Sequence, residues 1–542
     1  MSSSVDVKGA NPAVAEPFQD SEARNENSKA TATSVPEEAD DLEKYPEYLE
    51  YGPKLYAIII SVAIPKITDR FGTLDDVGWY GSAYLLVGCS FQLFFGKLYS
   101  LLNVKWVFLT ALLIFEVGSL VCAVAPSSMA LIIGRAIAGL GSAGIFSGAM
   151  IVVANIVSVE KRPVLFGAVG AVYGVASVVG PLMGGAFTDN THLTWRWCFY
   201  INLPLGAVTA ILVTVLLHIQ HIKPVLGSPA QFIKRLDPIG TIIFVPSIVC
   251  LLLALQWGGL TYAWSSGRII ACLVVFALTF IGFWVLQFFL GQNATVPKHI
   301  ITNRSIAAAS FFGLCIGGSF FIFIFYVPIW FQAIKGTSAM TSGVYCLPLV
   351  LAEIVAIAVS GGLVTNFGQY APFFIASSVV SSVGAGLTTL LKVHTSQAAW
   401  VGFTFLYGLG IGFGFQQGGV AAQAVLPAAD VAVGTTVVMF LQIFGGAVFV
   451  SAANNIFDTR LVSNLQNLDI SGLNPSEIVA LGATGFRSAV SAADLPAVLV
   501  AYNEAIVQTF KLGLILTCVS IVGAVLVEWK SVKGKTIVAA AA

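Results

Sequence analysis

Charge is what this sequence has least of. Of its 542 residues, 10% are Asp, Glu, Lys or Arg and 57% are hydrophobic, whereas soluble domains average about 25% charged. Too few polar side chains are present to cover a water-soluble globule of this size, so the chain is read as a polytopic membrane protein. Lys and Arg together number 27, as do Asp and Glu, which leaves no cationic excess to hold a nucleic acid. The five histidines, His192, His218, His221, His299 and His394, stand apart at or near the ends of apolar runs, so no metal site is expected. The eight cysteines are scattered through apolar segments without a Cys-x-x-Cys pair, which argues against a disulfide framework. No Gly-x-x-x-x-Gly-Lys-Ser/Thr loop occurs, and ATP drive is set aside. An integral membrane enzyme would need His, Asp or Ser clustered at one membrane face, and no such cluster is found. No cofactor is implied.

Long apolar runs are what the sequence does have. A helix needs about 20 apolar residues to cross about 30 Å of hydrocarbon. Thirteen segments qualify, at 79–98, 104–125, 129–155, 164–187, 197–218, 238–257, 268–290, 306–331, 342–364, 371–391, 398–420, 433–453 and 508–528. A fourteenth, Pro53 to Ile67, is short: its apolar run from Leu55 to Ile64 gives about 15 Å of helix, half a span. Counting it, the chain has fourteen spans, and Lys and Arg favour the side of the N-terminus, as the positive-inside rule requires of cytosolic loops.

The expected organisation follows. Residues 1–52 form a disordered cytosolic tail without a signal peptide, and 53–218 an N-terminal six-helix bundle with a truncated first helix. Residues 219–290 are a basic linker and two extra helices, and 291–528 a C-terminal six-helix bundle with an extracellular loop at 454–507, whose mixture of Ser, Asn, Leu and Ala suggests short surface helices. A second cytosolic tail spans 529–542. The glycosylation patterns at Asn293 and Asn303 fall on the cytosolic side and are expected to be unused.

One cation interrupts "LIIGRAIAGLGSAGIFSGAM". Placing Arg135 at bilayer depth costs at least about 2.5–3.5 kcal/mol. It could snorkel to the outer surface. Gly139 and Ser142 share its helical face, however, and such a small, polar face suits a packed or wet interior better. The next span, "FGAVGAVYGVASVVGPLMGGAF", carries Gly167, Gly170, Gly174, Ala176, Gly180, Gly184 and Gly185, which lets backbones approach closely. Pro181 is expected to kink it. That surface is either a static interface or one on which two bundles rock.

Two acids stand mid-span, Glu116 in "LLIFEVGSLV" and Glu353 in "PLVLAEIVAIAV". Burial disfavours a carboxylate's charged form, so both are candidate proton carriers, Glu353 the preferred one. A helix-packing hydrogen bond is the other reading of Glu116. Amides at Gln332, Gln416, Gln417, Gln423 and Gln442, with aromatic surface at Tyr326, Trp330 and Phe331, suit a cavity for hydrophobic, weakly polar molecules. Tyr326, Trp330, Gln332, Gln416 and Gln442 are the substrate candidates among them.

These stretches resemble the major facilitator superfamily, specifically its fourteen-span drug:proton antiporters of fungal type, over nearly the whole chain after the tail. "LIIGRAIAGLGSAG" is similar to the fourth-helix motif, whose arginine the resemblance implicates in proton coupling. "GAVYGVASVVGPLMGG" is similar to the exporters' fifth-helix motif, with Ala176 where a glycine is usual. Gly174, Gly180, Pro181, Gly184 and Gly185 would then belong to the gating motif. "WRWCFYINLPLG" resembles the start of the sixth helix, and "FYVPIWFQAIKGTSAMTSGVYCLPL" the ninth-to-tenth connection.

Two departures stand out. "GKLYSLLNVK" supplies Gly96, Leu98 and Lys105 of the cytosolic gate pattern, but Ser100 stands at its aspartate position. In the first helix the aspartate register falls on Tyr56, upstream of Ala63-Ile64-Pro65. Either part of helix one has been lost, or a piece of coding sequence is missing, and we favour the second.

The resemblance implies an all-α major facilitator fold, two six-helix bundles plus two extra helices. It also implies a monomer that exports hydrophobic drugs, toxins or secondary metabolites by proton antiport and alternating access. Its partners would be the small organic substrate, protons and the lipid bilayer of the plasma membrane, with the vacuolar membrane as alternative. Proton-coupled uptake of a metabolite or iron chelate, and a non-transporting remnant, are the competing functions.

Overall fold

The computed structural model describes residues 77–158, 160–189, 193–217, 228–259, 262–468 and 482–533, with Ile67, Arg70, Phe71, Pro475 and Ile478. Tyr56 and the short first span, Ile67 apart, lie outside the described residues.

The long helices are α1 (Val77–Leu101), α2 (Val104–Val124), α3 (Ser128–Ile156), α4 (Arg162–Asp189), α5 (Asn202–Leu216), α6 (Pro238–Trp257) and α7 (Gly267–Leu290). They continue as α8 (Arg304–Lys335), α9 (Leu347–Phe367), α10 (Ala371–Thr388), α11 (Gln397–Gly414), α12 (Gln417–Val425), α13 (Ala428–Gln466) and α14 (Leu495–Leu526). Short polar residues start several of them by capping free backbone N–H groups. Asn103 accepts from the Lys105 amide, Ser127 from Ala130, and Asn303 from Ser305 and Ile306. Gly336 and Gly368 end α8 and α9 at positive φ, +67° and +80°, where a side chain would be strained.

Twelve helices among the described residues are long and apolar enough to cross a membrane. With α4, whose 28 residues reach about 42 Å, they match the thirteen full-length spans read from the sequence. Apolar side chains form two buried clusters. One joins α1, α2, α3 and α5 through residues such as Phe95, Phe108, Phe115 and Ile145. The other centres on α8 to α14, through Phe312, Phe323, Tyr407 and Phe510, and takes in α6 and α7 through Phe244 and Phe283.

Two segments differ from the expectation. Within 454–507 one short helix stands at Gly482–Ala489, but much of the helix there continues the spans, since α13 runs for 39 residues to Gln466 and α14 begins at Leu495. The extension is held by packing: Leu461 and Leu465 are buried, as are Val498, Ala501 and Tyr502, and Asn464 donates to the Ala501 carbonyl at 3.1 Å. The span expected at 398–420 runs from Gln397 to Val425, with the helix interrupted at Phe415 and Gln416, where the Phe415 carbonyl accepts from Gln442 Nε2 at 3.1 Å. The span expected at 197–218 is found from Trp197 to Leu216, with helical dihedrals at Ile201, φ −59° and ψ −27°. No interruption accompanies Pro181, which lies inside α4.

Candidate functional site

Arg135 does not reach for the surface. It is 1% exposed, seven residues into α3. Its Nε donates to the Tyr80 carbonyl at 2.5 Å, and its guanidinium lies 4.4 Å from the centre of the Tyr84 ring. Both partners belong to α1. The approach depends on small residues: a Cβ on Gly139 would strike the Tyr84 backbone, and one on Gly88 would lie 3.5 Å from the Gly139 carbonyl. Ser142, on the same face, donates to that carbonyl at 2.8 Å. The small, polar face read from the sequence is therefore the face on which α1 rests.

The two acids occupy different settings. Glu353 is 3% exposed on α9, within electrostatic reach of the Tyr407 hydroxyl. Tyr407 and Ser319 share a hydrogen bond of 2.8 Å, and the Tyr407 ring stacks on Phe323 at 3.9 Å. Glycines bring these helices together, since a Cβ on Gly412 would run into the Glu353 carbonyl and one on Gly408 into that of Leu349. Glu116 is only partly buried, wedged between α2 and α5 where Gly206 leaves room for its carboxyl. Its Oε2 has no hydrogen-bond partner among the described residues.

The five substrate candidates are not gathered in one place. Tyr326 donates to Asn454 Oδ1 at 2.6 Å and Trp330 Nε1 to Asn503 Oδ1 at 2.7 Å, each 1% exposed. Gln332 Nε2 donates to Ser342 Oγ at 3.1 Å. All three lie near the end of α8, whereas Gln442 packs beside Gly317 of that helix, about 13 Å or more along the axis from Tyr326. Gln442 instead reaches the helix break, donating to the Phe415 carbonyl next to Gln416, whose Nε2 would be 3.4 Å from a Cβ on Gly170.

The two halves touch along two seams. In the first, Gly96 of α1 faces Thr436 of α13, whose side chain would be 2.7 Å from an added Cβ. Beside it Lys97, 5% exposed, crosses to donate to the Ala294 carbonyl at 2.6 Å and to that of Gln292 at 3.4 Å. Ser100 only donates back to the Lys97 carbonyl, at 2.8 Å. The second seam joins α4 to α9. Gly167 faces Ile357 and Ala358, Gly361 abuts the Pro163 carbonyl, and Arg162 Nη1 donates to Gln423 Oε1 at 3.3 Å. Gly180 and Gly184 are buried further along α4. At Gly174, Pro181 and Gly185 the structure describes only the helical backbone.

Sequence reasoning missed Asp237. It is 1% exposed, at φ +52°, and accepts from the Gly240 amide, Gln287 Nε2, the Thr295 amide and the Thr295 hydroxyl at 2.8–3.1 Å. These bonds fix the loop whose carbonyls receive Lys97. The signal available was an Asp-Pro pair at the start of an apolar run, an N-cap signature.

Comparison with known proteins fits this geometry. The profile of the Major Facilitator Superfamily matches residues 55–450. The chain is 55% identical over 476 residues to the efflux pump aflT of Aspergillus parasiticus, covering 88% of this chain and 92% of that one. It is 53% identical over 487 residues to the MFS-type efflux pump MFS1 of Arthroderma benhamiae, covering 89% and 90%. Among solved structures, the human organic anion transporter MFSD10 shares the fold, with a TM-score of 0.53 at 11% identity over 86% of this chain and 97% of that one. By its sequence over most of its length, and by its helical architecture, this chain belongs to the major facilitator superfamily.

Proposed function

We propose that this chain exports hydrophobic small molecules, of the toxin or secondary-metabolite kind, across the plasma membrane by exchange for protons. Support for export comes from its similarity to proteins named efflux pumps. The observation that carries proton coupling is Glu353, a carboxyl buried among apolar helices beside the Tyr407–Ser319 hydroxyl pair. A carboxyl there, beside two hydroxyls, is a group that can carry a proton and pass it on when water reaches the site.

The mechanism is alternating access about the two seams. The Lys97 end is read as cytosolic, and its contacts part when the carrier opens to the cytosol. Arg135 holds α1 to α3, so the two helices move together. Substrate binds near the helix break, where Gln416 and Gln442 lie, and Glu353, on α9, sits next to the pairing of that helix with α11.

The test is dye efflux in proteoliposomes. A fluorescent hydrophobic dye should move against its gradient only when an opposing proton gradient is imposed, and protons should flow in return. Glu353→Gln should bind dye yet show no proton-driven transport. Dye movement in that variant at the wild-type rate and with the same dependence on the gradient would remove Glu353 from the mechanism.

A further inference from the structure

The two extra helices, α6 and α7, carry two of the chain's eight cysteines and bring them together. Side chains set the register of this antiparallel pair along its length. At one end Gln287 Nε2 donates to Asp237 Oδ2 at 2.8 Å. Further along, the Phe244 and Phe283 rings lie 4.7 Å apart, and Ser247 Oγ donates to the Phe276 carbonyl at 3.4 Å. Cys250 and Cys272 form the next rung, about one turn after Ser247 and one turn before Phe276, and their thiols are hydrogen-bonded to each other. Cys250 lies seven residues before the end of α6 and Cys272 five after the start of α7. Both therefore stand about 8–11 Å from the loop that joins the helices.

This rung can be reached from the lipid. Among the described helices long enough to span, α7 is the least covered by protein, and Val274, Val275 and Leu278 beside Cys272 are exposed. Cys250 and Cys272 are themselves half-buried, whereas Cys89, Cys122, Cys198 and Cys315 are buried. Two touching thiols can hold one acceptor atom together, and closing the second bond within the molecule gains a factor of about 10²–10⁴ over the first alone. The surroundings choose the acceptor. A metal cation would bring its charge into hydrocarbon, and a thiol that must ionise to bind it would add a second charge there. A neutral acceptor that exchanges with neutral thiols avoids both costs, and trivalent arsenic carrying one organic group is such an acceptor.

We propose that Cys250 and Cys272 form a dithiol site, open to the bilayer, for neutral organic compounds of trivalent arsenic, and that its occupation bridges α6 to α7. The entering molecule is an arsonous acid, R–As(OH)2. Its two As–O bonds and the two S–H bonds break, and two As–S bonds form. Each thiol proton leaves with a hydroxyl as water, and arsenic stays trivalent. Reactants and products are all uncharged. The site is on helices other than those that carry Glu353 and the helix break, so it stands independently of the export reading.

The probe is phenylarsonous acid, added to the purified protein in proteoliposomes, with bound arsenic measured after a wash in 2-mercaptoethanol. This monothiol strips arsenic held by one sulfur and spares a two-sulfur chelate, which 2,3-dimercaptopropanol then removes. Digestion of the unaltered protein should place wash-resistant arsenic on a link between the peptides that hold Cys250 and Cys272. Cys250→Ser and Cys272→Ser should each lose one equivalent of it, the remaining thiol binding about 100-fold or more weakly. The double variant should lose no more than either single one, and Cys518→Ser none. Resistant arsenic found only on other cysteines, an undiminished amount in Cys250→Ser, or complete stripping of the unaltered protein by the monothiol would overturn the proposal. The mapping is made on the unaltered protein and decides the question whether or not a variant inserts.

Discussion

Arg135 allows the burial of its charge to be measured. Its Nε bond to the Tyr80 carbonyl is a charged hydrogen bond, worth about 1.5–3 kcal/mol. Its seat over the Tyr84 ring, 4.4 Å away, adds about 2 kcal/mol for a desolvated cation–π contact. Arg135→Leu loses both, so destabilisation of about 4 kcal/mol is expected. Tyr84→Leu loses the ring contact and ring packing but leaves the carbonyl bond. In a double-mutant cycle the two changes should therefore couple by about 2 kcal/mol, the ring term alone. The assay is reversible unfolding of the purified protein in mixed detergent micelles, followed by tryptophan fluorescence, with dye efflux measured on the same preparations. Arg135→Lys, which keeps the charge without the planar fork, should retain part of the coupling. Additivity of Arg135→Leu and Tyr84→Leu to within about 0.5 kcal/mol would refute the reasoning, because it would mean the guanidinium draws nothing from the ring it covers.

Other perturbations separate holding the fold from moving the substrate. Gly96→Val puts two methyl groups where Thr436 already stands 2.7 Å from an added Cβ, so a crosslink between cysteines at the Lys97 end of the first seam should form several-fold more slowly, without loss of membrane insertion. Asp237→Asn keeps a residue that tolerates positive φ but turns an amide group toward donors from Gln287 and Thr295. Hydrogen exchange at the Thr295 and Val296 amides should rise at least tenfold, corresponding to a loss of about 1.4 kcal/mol or more in local stability. Trp330→Phe removes the bond to Asn503 and should lower stability in the same detergent assay by about 1 kcal/mol. A dye KM unchanged in that variant would place Trp330 in the scaffold, and a raised one in the substrate path.

The spans were legible because composition dictates them: apolar runs of some 20 residues have one stable solution in hydrocarbon. The Arg135 face was legible too, since Gly139 and Ser142 at helical spacing leave room for a neighbour and little for lipid. What the runs do not encode is where a helix breaks. The spacing of Gly408, Gly410, Gly412 and Gly414 is visible in sequence, but the break follows from what fills the space of the missing side chains, the Ser381 backbone at Gly410 and the Glu353 carbonyl at Gly412. The helical ends of α13 and α14 were hidden for the opposite reason. Their residues suggest short surface helices, and only the packing of Leu461 and Leu465 and the Asn464–Ala501 bond joins them to the spans. The substrate candidates show the same limit: composition groups aromatics with amides, whereas distance along α8 divides Tyr326 and Trp330 from Gln442.

The serine at position 100 bears on how the Lys97 end is held. A carboxylate there would latch the seam through a direct charge pair, strong when closed and leaving a buried charge to rehydrate on opening. In this chain the charge pair is replaced by a relay of two parts. Asp237 gathers four donors and stiffens the loop at Ala294 and Thr295, and Lys97 then donates to carbonyls of that loop rather than to the carboxylate itself. Opening this contact strands only two carbonyls and an ammonium, all easily met by water. Asp237 keeps all its partners, because they lie in α6, in α7 and in the loop after α7. The bonds that hold the extra helix pair are therefore independent of the one that Lys97 makes to its loop, and either can break without the other.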